Sequence, residues 1–133
     1  MLVLTAALAD LLRHYGRCAL PREAVGLLYG RPDGRGATVM DCLVPLANVA
    51  EGPARFRIDE KEFLAALRGR GTEPEAFFHT HPVEPAIPST HDILGAAGWP
   101  RTPHVILSFD DRAEFRAWRI IDGQALPEPI RIV

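Results

Sequence analysis

Cysteine is scarce in this chain: there are two, Cys18 and Cys42, and no Cys-x-x-Cys pair. Both lie in apolar stretches, which predicts two buried thiols in a reducing cytoplasm, with one disulfide as the alternative. Basic charge is not in excess either, since 15 Lys and Arg face 17 Asp and Glu for a formal charge of −2. That balance leaves no electrostatic footprint for nucleic acid. No run approaches the ~20 apolar residues needed to span a bilayer, so no membrane association is expected. Met1 to Leu12 is apolar like a signal peptide, but no basic residue precedes Arg13 and Asp10 interrupts the run, so none is expected. A cytoplasmic protein is expected. No internal repeat, low-complexity tract or linker divides the chain, and 133 residues leave no room for a TIM barrel. One domain over 1–133 is therefore expected, and a chain near this length buries roughly two-thirds of its unfolded surface, enough for a core without staples. Apolar residues at 47% and charged residues at 24% are ordinary for a globular protein.

Leu4, Leu8, Leu11 and Leu12 fall at helical spacing, so a helix is predicted over about 4–15, with Thr5 or a neighbour as cap and Gly16 as stop. Ala24 to Tyr29 reads as a buried strand. A turn-rich stretch from Gly30 to Gly36 follows, and Thr38 to Leu46 completes a hairpin. Phe56-Arg57-Ile58 alternates like a further strand. Asp59 is placed to cap a helix through Glu62, Phe63, Leu64 and Leu67 that stops near Gly69 or Gly71. Ala76-Phe77-Phe78 leads into a third buried strand. Pro82, Pro85 and Pro88 stiffen the loop after it. Ser89 opens a short helix through Ile93 and Leu94, ended by Gly98 and Pro100. Strands are predicted at His104–Phe109, Phe115–Ile121 and Ile130–Val133. The order gives an α/β fold of the mixed kind, a largely antiparallel sheet with flanking helices.

The chemistry concentrates in His79-Thr80-His81-Pro82 and Ser89-Thr90-His91-Asp92. Residues i and i+2 of a strand share a face, so His79 and His81 can reach one ion together while Thr80 points the other way. Two imidazoles and the Asp92 carboxylate suit a borderline-soft divalent cation, above all zinc, and three protein ligands leave a fourth position for water. Each piece has a plainer explanation. An isolated His-x-His fits polar packing at a strand end, and Ser89 with Asp92 is a capping-box arrangement that needs no metal. Together they favour the metal, with capping alongside it. A hydrolytic site also needs a proton acceptor. Glu23 stands just before an apolar strand expected to neighbour the His strand, while Glu73, Glu75 and Glu84 are nearer in sequence and remain rivals.

Glu23-Ala24-Val25-Gly26-Leu27-Leu28-Tyr29-Gly30, His79-Thr80-His81-Pro82 and Ser89-Thr90-His91-Asp92 together resemble the JAMM (MPN-plus) metalloproteases. That family's pattern is a Glu before a Gly-Leu-Leu-x-Gly strand, then His-Ser/Thr-His-Pro, six residues and Ser-x-x-Asp. Val83 to Pro88 fill the six-residue gap. Asn48, Phe56 to Asp59 and Arg116 to Ile120 also resemble segments of bacterial members, so the likeness runs from about Pro21 to Gly123. One difference is Ala24-Val25, where relatives often carry a Cys before the Gly. The resemblance implies a cytidine-deaminase-like JAMM/MPN core and one zinc ion per chain. It implies His79, His81 and Asp92 as ligands, Glu23 as general base and Ser89 at the oxyanion. It further implies peptide or isopeptide cleavage, at the Gly-Gly tail of a ubiquitin-like β-grasp protein or a sulfur-carrier protein. The compact chain resembles stand-alone bacterial members more than deubiquitinating ones with inserted segments. Two alternatives stay open: a non-catalytic MPN-type binding scaffold, and a peptidase of other small peptides.

The other polar and aromatic candidates carry less. His91 is expected to face solvent at the rim of the site, and His14 to sit at a helix end where its charge suits the dipole. His104 begins a strand. Trp99 and Trp118 are expected to pack, with Trp99 placed to line the mouth of the site.

Overall fold

The computed structural model describes residues 1–52, 55–110 and 114–133. Eleven elements follow in chain order: β1 (Leu2–Leu4), α1 (Ala6–Ala19), β2 (Val25–Pro32), β3 (Thr38–Leu46), α2 (Glu60–Arg70), β4 (Ala76–His81), α3 (Thr90–Gly95), β5 (His104–Ser108), β6 (Phe115–Ile121), β7 (Gln124–Glu128) and β8 (Ile130–Ile132). The strands form one eight-stranded sheet in the order β7-β6-β5-β4-β2-β3-β1-β8. Four of its seven pairings are antiparallel, and β1 with β3, β1 with β8 and β4 with β5 are parallel. The fold is thus mixed α/β, as the element order predicts. The two outermost strands, β7 and β8, are separated in the chain by Pro129 alone, so the sheet bends until its ends meet.

Alternation along the strands divides the core between two faces. On one, Leu8, Ala9 and Leu12 of α1 pack on Leu4, Leu28, Phe78, Val105 and Leu107. On the other, Val25, Leu27 and Tyr29 of β2 are covered by Phe63, Ala66 and Leu67 of α2, together with Phe56 and Ile58. Central β5 is buried along its whole length, which explains why its middle, Val105-Ile106-Leu107, is apolar on both faces. The glycines bounding the β2 motif allow close approach of β3. A Cβ at Gly26 would stand 2.7 Å from Leu43 Cδ1 and 2.9 Å from the Val44 carbonyl oxygen, and one at Gly30 would run into the Val39 carbonyl.

Several expectations need correction. Leu2–Leu4 is a strand, not a helix start, and α1 begins after Thr5, whose hydroxyl accepts the Leu8 N–H at 3.2 Å. Gly16 does not stop α1, which runs on to Ala19; Gly16 is instead buried against Phe109 and Thr80. His14 therefore lies within the helix, with Nε2 3.6 Å from Cys18 Sγ, not at its end. Phe56-Arg57-Ile58 is not a strand: it joins no ladder, though the Arg57 carbonyl accepts the Val49 N–H at 2.8 Å. The thiols are not two buried groups. Cys18 is exposed on α1, Cys42 is half-buried, and both are free. Strand β7 is an edge strand that no sequence expectation covers; Pro127 is tolerated in it because, among the described residues, β7 pairs with β6 alone.

Candidate metal centre

The site forms where the C-terminal end of β4 meets the N-terminal end of β2. These strands run antiparallel with Val25 opposite His79, which puts Glu23 beyond the end of β2, next to the histidine pair. The loop after β4 then returns α3 across the same face. His79 Nε2, His81 Nε2 and Asp92 Oδ2 all lie 3.1 Å from one another. Three donors held by one ion at about 2.0–2.1 Å in a tetrahedron stand roughly 3.3 Å apart, so this triangle fits such an ion with almost no rearrangement. Adding one oxygen of Glu23 gives four ligand atoms within 4.8 Å of one another, all from buried residues. The donor set and spacing fit a divalent metal. Glu73, Glu75 and Glu84 do not belong to this cluster; Glu73 and Glu84 are exposed.

The surroundings orient these atoms. His81 Nδ1–H donates to the Pro85 carbonyl at 2.7 Å, leaving the Nε2 lone pair turned inward as a ligand requires. Ser89 Oγ accepts the Asp92 N–H at 3.1 Å, and Asp92 Oδ2 accepts the Ser89 N–H at 2.9 Å. The capping box is therefore present, and it holds the same oxygen that faces the imidazoles. Capping and ligation are compatible. Thr80 points away from the ion pocket, as its register requires, and its hydroxyl accepts the Ala24 N–H at 2.8 Å. Asn48 Nδ2 donates to the Glu23 carbonyl at 2.9 Å. Glu23 is thus gripped through its own carbonyl and the next amide.

Glu23 is 5% exposed and its Oε1 has no hydrogen-bond partner among the described residues. Burial, opposed by His81 and reinforced by Asp92 and Glu84, pushes its carboxyl up to about 7. Burial also works to raise Asp92, but the bonds from His79 and His81 overcome it and hold this group well below the usual carboxylate range. Burial would lower His81, yet Asp92, the Pro85 carbonyl and Glu23 raise it. The pattern is that of a cluster built around a positive charge, with one buried carboxylate left to exchange protons near neutrality.

Further side chains hold the proline loop or border the site, Ser108 and Trp118 in ways the sequence pattern does not show. Ser108 Oγ donates to the Glu84 carbonyl at 2.6 Å and Trp118 Nε1 to the Ala86 carbonyl at 2.8 Å, on either side of the His81 bond to Pro85. Only the placement of Ser108 on β5, next to β4, and of Trp118 on β6, one strand further out, reveals this. His104 is 8% exposed and packs on Phe77 at 5.4 Å between ring centroids. Phe56 lies 4.8 Å from the His79 ring, and its carbonyl is bonded to His91 Nε2 at 2.9 Å, so exposed His91 fastens the 55–58 segment beside the site. Trp99 lines a cavity of about 390 Å³ that opens between α2 and α3 beside His79 and Asp92.

Residues 5–121 match a family described as prokaryotic homologs of the JAB domain. The chain is 31% identical to a CysO-cysteine peptidase of Mycobacterium tuberculosis, with 100% of this chain and 92% of that protein covered. It is 32% identical over 102 residues to a desampylase of Haloferax volcanii, covering 74% of this chain and 70% of that one. A protein of Desulfitobacterium hafniense, whose solution structure is known, superposes with a TM-score of 0.82 at 31% identity, covering 100% of this chain and 93% of that one.

Proposed function

The chain belongs to the family of prokaryotic homologs of the JAB domain and is a hydrolase, and from that premise we propose zinc-dependent cleavage after the Gly-Gly tail of a ubiquitin-like or sulfur-carrier protein. The observation that carries the reading is the triangle of His79, His81 and Asp92 donors with the buried carboxylate of Glu23 beside it. A non-catalytic scaffold would gain nothing from Glu23, whose unpaired buried oxygen only costs stability. The relatives named for acting on CysO conjugates and as desampylases support the carrier-conjugate class of substrate.

His79, His81 and Asp92 would hold one zinc ion per chain. When bound, zinc acidifies water and polarises a carbonyl. Glu23, buried beside the ion site with Oε1 unpartnered among the described residues, takes the proton from the attacking water and gives it to the leaving amine. Ser89 already accepts the Asp92 N–H, so its own hydroxyl hydrogen is free to steady the oxyanion of the tetrahedral intermediate. The tail lies extended across the site, led to it by backbone hydrogen bonds.

Replacing Glu23→Gln tests the assignment. Turnover of a Gly-Gly-linked carrier conjugate should fall by about 10²–10⁴-fold, the usual worth of general acid–base catalysis, while zinc content is unchanged. Undiminished cleavage by the variant would refute Glu23 as the base.

A further inference from the structure

The cavity beside the metal centre is larger and more apolar than a Gly-Gly tail requires. It holds about 390 Å³ and runs from His79 and Asp92 along β4, away from the ion site, between α2 and α3. Its far part is aromatic: the Trp99 ring stands edge-on to Phe63 at 5.5 Å and to Phe77 at 5.3 Å between centroids. His104 lies against Phe77 at its floor, 8% exposed, with Nε2 unpartnered among the described residues. Burial holds this imidazole neutral, pushed down to about 4. The exposed charges Arg57 and Glu60 belong to the outer wall.

We propose that this cavity receives the leaving side of the scissile bond, and that it takes an uncharged, apolar side chain carried by the released amine. The assignment rests on the Gly-Gly reading above. Two glycines on the acyl side bring no side chain, so the first group able to fill a cavity that starts at His79 and Asp92 is on the amine side. An apolar side chain gains from removal of its surface from water between Phe63, Phe77 and Trp99. A lysine or aspartate side chain would lose hydration against the uncharged aromatic floor, since Arg57 and Glu60 stand on the outer wall and Asp92 at the ion site. The cavity therefore selects a released residue such as leucine or phenylalanine over a charged one.

The test pairs a binding titration with a cleavage assay on the full zinc-loaded chain. Free leucine, phenylalanine, aspartate and lysine are titrated while the amide resonances of Gly95 and His104 are followed by NMR. Leucine and phenylalanine should shift both resonances saturably, and aspartate and lysine should not. Trp99→Ala, and independently Phe63→Ala, should weaken the leucine response by about tenfold, with the spectrum otherwise retained. Carrier-tail peptides ending Gly-Gly-X are then cleaved in parallel, and kcat/KM should follow the same order of X. Equal responses to charged and apolar residues, or none, would overturn the cavity assignment. Cleavage of the peptides with no dependence on X would also overturn it and leave the Gly-Gly reading standing. A selective titration response without cleavage of any Gly-Gly peptide would refute that reading and leave an apolar side-chain pocket.

Discussion

At the scale of single residues, the site sets stability against chemistry at Glu23. Its folded-state carboxyl, at about 7, lies above the ordinary carboxylate value of 4.5, so the native chain binds more protons than the unfolded one between these limits. The favourable contribution of the protonated side chain is complete below about 4.5 and is lost as pH rises through about 7. Glu23→Gln keeps a neutral side chain at every pH. The metal-stripped variant should therefore exceed metal-stripped wild type in stability by up to about 3 kcal/mol at pH 8, and match it at pH 4. Denaturant melts at the two pH values check this, and no advantage at pH 8 would contradict the burial argument. Thr80 acts on the same residue from behind. Thr80→Val strands the buried Ala24 N–H and should cost about 1–3 kcal/mol, with a fall in turnover as Glu23 loosens, read by thermal melts and a cleavage assay. The histidines and Asp92 were legible from residue types and spacing alone. Glu23 was not, since it lies 56 positions before His79 and only the β2–β4 register joins them.

At the scale of elements, short pieces carry the site because neighbours hold them. Helix α3 has six residues, too few to persist alone, and the reciprocal bonds of Ser89 and Asp92 secure its first turn. Ser89→Ala should cost about 1 kcal/mol in stability from the lost cap, measured by chemical denaturation. Helix α1 supports β4 from the opposite face. A Cβ at Gly16 would meet Phe109 Cζ at 2.8 Å and Thr80 Cγ2 at 2.9 Å, so Gly16→Ala should destabilise by about 1–3 kcal/mol despite the better helix propensity of alanine. Gly16 reads in sequence as a helix stop because glycine usually ends helices; tertiary crowding supplies the actual reason. Strand β1 was illegible for a similar cause. Leu2–Leu4 joins an apolar run that continues into α1, and only its pairing with β3 and β8 makes it a strand. The 56–58 segment has strand-like alternation, yet it serves as a wall of the site, fastened by Asn48 and His91.

At the scale of the whole molecule, the sheet separates a packed face from a working face. Buried Leu8, Ala9, Leu12 and Gly16 of α1 seal one side, whereas α2 on the other side has no fully buried residue. Amide hydrogen exchange should therefore run faster in α2 than in α1, and the reverse order would contradict this division. The mixed α/β class was legible because most element periods are strong and the connections short. The closure of the sheet through β7 and β8 was not, since it depends on which distant edges meet. The working face converges on one chemical claim: that the donors of His79, His81 and Asp92, with Glu23, form a zinc-dependent hydrolytic centre. Titrating zinc into metal-stripped protein while following cleavage of a Gly-Gly-linked carrier conjugate tests it most directly. The rate should rise from near zero in proportion to zinc and level off at one equivalent per chain, and cleavage by stripped protein at the full rate would contradict the account.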